Sequence, residues 1–293
     1  MSALPTLSPA TRAPAAAHAP SPAAPVEHPE PQPWWGVRTP IPPQRTLLLM
    51  GLGLLLPLLG WLALAGSGWV EPVFMPGPLQ VLERLHGWYA DDALLGDIGI
   101  SVLRVVAGWA LAAVIALPLG LFIGTFRSVQ ALLEPLTEFI RYMPAAAFIP
   151  LVMVWVGIDE GAKIAVIFLG TFFQMVLMMA EDVRRVPAAQ IEAAQTLGAT
   201  RAELIERVII PSAKPALLDT LRVSMGCAWT FLVVAELVAA SSGLGYAILK
   251  AQRFLQTDKI FAGILLIGLI GLVIDQLLRW VHRRAFPYLH TRD

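Results

Sequence analysis

Residues 192–211 read EAAQTLGATRAELIERVIIP, a polar stretch set between two long apolar blocks. It carries the signals of two short helices joined by a turn. Pro187, with its fixed φ and no amide proton, suits the first position of a helix running through Leu197. Gly198 ends that helix, because glycine enters the left-handed backbone region at no steric cost. Thr200 is placed to cap the next helix, and Glu203, three residues on, completes a capping box. Leu204, Ile205, Val208 and Ile209 share one side of this second helix, Arg201, Glu203, Glu206 and Arg207 lie elsewhere, and Pro211 is expected to stop it. An amphipathic hairpin over residues 187–211 results.

The composition around it is that of a membrane protein. Hydrophobic residues make up 57% of the 293, charged residues only 14%, and the mean hydropathy is +0.68. Six apolar stretches are long enough to cross a bilayer, roughly 46–65, 98–124, 131–157, 162–182, 216–240 and 260–281. The fold class is therefore all-α and polytopic. Residues 1–45 are rich in alanine and proline and have no signal-peptide core, so a disordered tail is expected. Trp34 and Trp35, with Arg38 and Arg45, are placed to meet the membrane surface. Residues 46–97 hold the first span and a proline- and acid-rich loop with one short surface helix. The core domain is 98–285, and 286–293 form a C-terminal tail.

With six spans and a cytoplasmic N-terminus, the tail, the Arg127 loop, the 187–211 hairpin and the C-terminus share one side. That side holds most of the arginines and lysines, against five in the opposite loops, which places the hairpin in the cytoplasm and both termini there too. Net charge is zero, and no basic patch suggests a nucleic-acid partner. The single Cys227 excludes a disulfide framework or a cysteine metal site. No GxxxxGK[ST], HExxH or GxSxG stretch and no cluster of metal-ligand types occurs, so no catalytic residue, metal or bound cofactor is expected.

Glu192-Ala193-Ala194, then Gly198, Val208, Ile210 and Pro211, resemble the EAA loop of permease subunits of ABC importers. The resemblance implies the type I ABC importer permease fold, with the first hairpin helix docking as a coupling helix on an ATPase dimer. It also implies ATP use by that partner, a periplasmic substrate-binding protein, a second copy of the chain, and residence in a bacterial inner membrane. Val208 and Ile210 stand where isoleucine and leucine are usual. Ser101, Leu103, Arg104, Gly108, Pro118, Gly120 and Gly124, with Glu134-Pro135, Arg141, Pro144, the run to Leu151, Trp155, Trp229, Ala235-Glu236 and Gly243-Leu-Gly245, resemble the nitrate, taurine, alkanesulfonate and bicarbonate type. The implied solute is a small anion, taurine or an alkanesulfonate first, with nitrate, bicarbonate or an aromatic acid as alternatives.

Within the spans, Arg141, Pro144, Pro150, Trp229 and Glu236 are the candidate lining of a translocation pathway or gate. Pro144 and Pro150 are expected to break the third span's hydrogen-bond ladder, and an ionisable group such as Glu236 inside a span faces a cavity or a partner. Arg104 and Arg141 are placed near span ends, where long side chains snorkel or attract an anion. Asp219 with Arg222, and Asp275 with Arg279, have the spacing of ion pairs along one helix. An ion-coupled carrier using Glu236 is the competing transport reading, though no inverted repeat supports it. A scaffold that only recruits a partner through the hairpin is the non-transport alternative.

Overall fold

The computed structural model describes residues 41–91 and 94–289, the side chains at 91, 238 and 239 excepted, and every described element is helical. The expected disordered tail up to residue 40 and residues 290–293 lie outside this description. The chain divides into a unit ending at Leu56 and a second beginning at Pro57. In the first, the described residues are chiefly the start of α1 (Pro43–Gly66), whose leucines are exposed on all sides, as suits a helix surrounded by lipid.

The second unit contains α2 (Pro78–Asp91), α3 (Leu94–Thr125), α4 (Arg127–Arg141), a 3-10 turn at Ala145–Phe148 and α5 (Ile149–Val156). Next come α6 (Glu160–Arg184), α7 (Ala188–Thr196), α8 (Arg201–Glu203), a π-helical stretch at Leu204–Ile209, and α9 (Ile210–Ala239). Finally α10 (Leu244–Arg253) precedes α11 (Thr257–Ala285). Among the described residues, five helical runs are long and apolar enough to cross a membrane: α1, α3, α6, α11 and the continuous run Arg201–Leu237.

The third expected span is not one straight helix. α4 and the segment from Ala145 to Val156 are bent by 88° at the break between them. Pro144 explains this, since its ring disfavours helical backbone at Met143 and it donates no hydrogen bond. Pro150 does not break the ladder as expected. It sits in the first turn of α5, where a missing N–H leaves nothing unpaired. The 66–97 segment is also better anchored than a surface loop, because Trp88 of α2 is buried against Leu94, Leu244 and Ala247.

At the centre, α3 packs along α6, and α6 along α9. The α3 face that meets α6 is a ridge of small residues four apart, Gly108, Ala112, Ala116, Gly120 and Gly124. Such a ridge lets two backbones approach closely. A Cβ on Gly108 would meet Ile167 at 2.8 Å, one on Gly120 would meet Met179 at 2.6 Å, and one on Gly124 the carbonyl oxygen of Ala180 at 2.6 Å. Partner numbers rise together, so the two helices run parallel. Glu160 marks one end of the bundle and the hairpin the other.

Because those approaches involve backbone and Cβ atoms, added methyl groups have nowhere to go. Gly120→Ala and Gly124→Ala are each expected to cost about 1–3 kcal/mol through overpacking, read as a lower midpoint of thermal unfolding in detergent. Gly51→Ala, at a position with nothing within 4 Å of the added Cβ, should leave the midpoint unchanged.

Candidate functional site

The hairpin forms largely as its local signals dictate. Gly198 has φ of +82°. Thr200 Oγ1 accepts from the Glu203 amide at 3.4 Å, and Glu203 Oε2 accepts from the Thr200 amide at 3.0 Å, so the capping box is complete. Pro187 lies one position before the first helical residue rather than within it. The second helix does not stop at Pro211. A π-helical stretch takes up the change in hydrogen bonding ahead of that proline, and the chain continues as one helix into the fifth span. Ile191 and Ile205 pack on the core at this end, and Gln190 is linked to Ser212 at 2.9 Å, so the hairpin is fixed to its base. Glu192 and Ala193 are exposed, Ala194 is half-buried, and Leu197 is 88% exposed. Val208 and Ile210 are half-buried and Pro211 is exposed on the supporting helix.

At the Glu160 end, Arg104 is fully buried rather than snorkelling. It continues the small-residue ridge of α3 one turn toward the N-terminus and so faces protein. Its guanidinium meets Glu160 through two bonds of 2.6 and 2.7 Å, and Glu236 at 2.7 Å. It also donates to the Ser242 carbonyl at 2.7 Å and the Ser242 hydroxyl at 3.2 Å. Glu160 additionally accepts from Lys163 at 2.7 Å.

Glu236, also fully buried, accepts from Ser101 Oγ at 2.7 Å and from the Gly245 amide at 2.7 Å. Ser101 Oγ accepts from the Leu244 amide and Asp97 from the Gly243 amide, at 2.9 and 2.8 Å. Three amides opening α10 thus meet side-chain oxygens, two of them on carboxylates, which suits the positive end of a helix. Gly243, at φ +107°, leaves no room for a side chain, since a Cβ would lie 2.7 Å from Arg104 Nη1. Glu236 is thereby a tether between α9, α3 and the start of α10. Both of its oxygens are occupied, so no free carboxylate faces a cavity.

A third feature lies at the break in the bent helix. A cavity of about 190 Å³ is lined by Arg141, Met143, Phe173, Gln174, Cys227 and Phe231, among others. Of the five candidate pathway residues, Arg141 alone is among those lining it. Pro144 sits between two of the lining residues and is exposed, Pro150 is exposed in α5, and Trp229 is buried in the core beside Met225 and Leu232. Among the described residues, no group of three or more His, Cys, Asp or Glu is arranged to hold a metal.

Residues 116–287 match the family described as binding-protein-dependent transport system inner membrane component. The chain belongs to this family. It is the permease subunit of an ABC importer. The taurine transport system permease protein TauC of Escherichia coli K12 is 36% identical over 256 residues, covering 86% of this chain and 92% of that protein. The putative aliphatic sulfonates transport permease protein SsuC of Bacillus subtilis 168 is 35% identical over 244 residues, covering 82% and 88%. In fold, the permease is similar to an amino acid ABC transporter solved with histidines, at a TM-score of 0.54 and 18% identity, over 65% of this chain and 93% of that one.

The ion pairs of this permease extend beyond those its sequence indicates. Asp219–Arg222 and Asp275–Arg279 form as expected, at 3.3 and 3.1 Å. Arg222 also reaches Asp275 on α11 at 2.7 Å, and Arg184 reaches Glu134 on α4 at 2.9 Å. These cross-helix partners depend on which helices are neighbours. For Arg104 a signal did exist, in its register with Gly108, Ala112 and Ala116.

Removing one member of a buried pair strands the other. Arg104→Ala is expected to destabilise the permease by about 3–5 kcal/mol, whereas Arg104→Met combined with Glu236→Leu should recover much of that loss. Folded yield and unfolding midpoint in detergent check both.

Proposed function

We propose that this permease imports a small organosulfonate, taurine first, driven by ATP hydrolysis on a separate subunit that docks on the 187–211 hairpin. The hairpin carries the reading. It is an exposed short helix with an apolar tip at Leu197, held by a glycine hinge and a capping box, and fixed to a helix that runs on into the membrane core. A surface so mounted transmits displacement of a bound partner instead of absorbing it. The choice of solute is supported by the likeness to taurine and aliphatic sulfonate permeases over more than four-fifths of the chain.

Three further parts belong to the proposal. The distribution of arginine and lysine supports a cytoplasmic hairpin with both termini on the same side, in an inner membrane. A periplasmic binding protein delivers the solute at the Glu160 end. Two copies of the chain form the pathway, since up to six crossings make half of a typical one.

Proteoliposomes containing this chain, its ATPase and the binding protein should accumulate labelled taurine only with ATP and all three proteins present, and an excess of nitrate should not compete. Absence of taurine uptake while the binding protein still stimulates ATP hydrolysis would discard the solute and keep the importer. Gly198→Val forces a β-branched residue into left-handed backbone, a change of about 1–2 kcal/mol or more. It is expected to lower binding-protein-stimulated ATP hydrolysis severalfold without reducing membrane insertion, and undiminished stimulation would refute the coupling role.

A further inference from the structure

The cavity at the bent helix lies near mid-membrane. Gln174 is fourteen residues into α6 from Glu160 and ten short of Arg184, so it stands about 21 and 15 Å from the two ends at 1.5 Å per residue. α4 enters from the hairpin end, where Glu134 pairs with Arg184, and Arg141 lies two turns deeper. The backbone from Tyr142 to Phe148 is irregular or 3-10 at this depth. Irregular backbone inside a bilayer is stable only where it is enclosed by protein or borders water, and broken helices at mid-membrane recur where transporters hold solutes.

Arg141 distinguishes this cavity from a packing defect. Arg104, Arg184, Arg222 and Arg279 each meet a carboxylate within 3.1 Å. Arg141 has none among the described residues. Its contacts are the Tyr142 hydroxyl at 3.1 Å and the Tyr142 ring at 4.9 Å, and its Nε is buried without a hydrogen-bond partner. A guanidinium at this depth without a counter-charge is costly, and its planar fork matches an oxyanion. Gln174 adds a second polar group, while Phe173 and Phe231 keep the remaining wall apolar. At about 190 Å³ the cavity has room for a small solute.

We propose that this cavity is an anion-recognition point on the solute's route, with Arg141 contacting a sulfonate or similar small oxyanion head group and Gln174 assisting. This rests on the importer reading and adds the place where the permease itself discriminates charge.

Cys227, the chain's only cysteine, lines the same cavity and reports on it. The full-length chain in lipid nanodiscs is treated with 2-sulfonatoethyl methanethiosulfonate or its trimethylammonium counterpart. Each attaches its ethyl group to the thiolate through a new disulfide and releases methanesulfinate. Rates are normalised to a free thiol, and Cys227→Ala supplies the background. Expected is a preference for the anionic reagent of at least about tenfold, as a nearby unit charge in a partly dry site dictates. Millimolar taurine slows it, Arg141→Lys retains it, and Arg141→Gln abolishes it. Equal normalised rates in the unaltered chain, or no modification by either reagent, overturn the proposal without needing any variant to fold. Because no ATPase or binding protein is present, charge-selective labelling beside failed taurine uptake would sink the solute and keep the site. Uptake beside charge-blind labelling would do the reverse.

Discussion

A guanidinium buried among membrane helices must place every N–H it carries. Arg104 does so with two carboxylates and one serine, drawn from α6, α9 and the loop that follows α9. One side chain of α3 therefore fixes three other parts of the chain at a single point. Because Lys163 on Glu160 balances the second carboxylate and the donors of Arg104 are all used, the desolvation cost of each ion is offset locally, as a buried pair requires. The glycines at 243 and 245 follow from the same point, since the backbone there passes too close to Arg104 and Glu236 for any side chain.

Away from that point the bundle is held by shape. The small ridge of α3 brings two backbones together from Gly108 to Gly124, and the contact is lined by buried apolar residues down to the hairpin end. There the character changes again. Arg184 with Glu134 and Arg222 with Asp275 tie helices through half-exposed pairs, which are individually weak. The hairpin carries its own determinants and leans on the core through Ile191, Ile205 and Ile209 and one polar contact. The chain is thus bound tightly by charge at one end, by close approach in the middle, and more lightly at the hairpin.

What was legible in the sequence follows this division. The hairpin could be read because its determinants are local: the φ of Gly198 and the spacing of Thr200 and Glu203 need no knowledge of neighbours. The spans were legible from hydropathy alone. Pro144 marked the break, but Pro150 misled, since the effect of a proline depends on whether it falls in a first turn or an interior one. Pro211 misled for a related reason, because the π-helical stretch ahead of it lets the helix continue. Arg104 and Glu236 are 132 residues apart, and no periodicity pairs them. Only the register of Arg104 with the glycine and alanine ridge said that it faced inward. The isolation of Arg141 is a fact about which carboxylates are absent nearby, and no local pattern carries it.

The run from Arg201 to Leu237 is continuous over 37 residues, about 55 Å of helix. Thr200 and Gly198 are at its foot, and Glu236, bonded to Arg104, is at its head. The molecule therefore contains a strut that joins the exposed hairpin to the corner of the bundle held by Arg104, with the cavity's Cys227 and Phe231 along its shaft. Its winding departs from the α-helix at the wider turn of Leu204–Ile209, just above the foot. Movement imposed below that section bends the strut there, or else arrives undiminished beside the cavity and at the far corner.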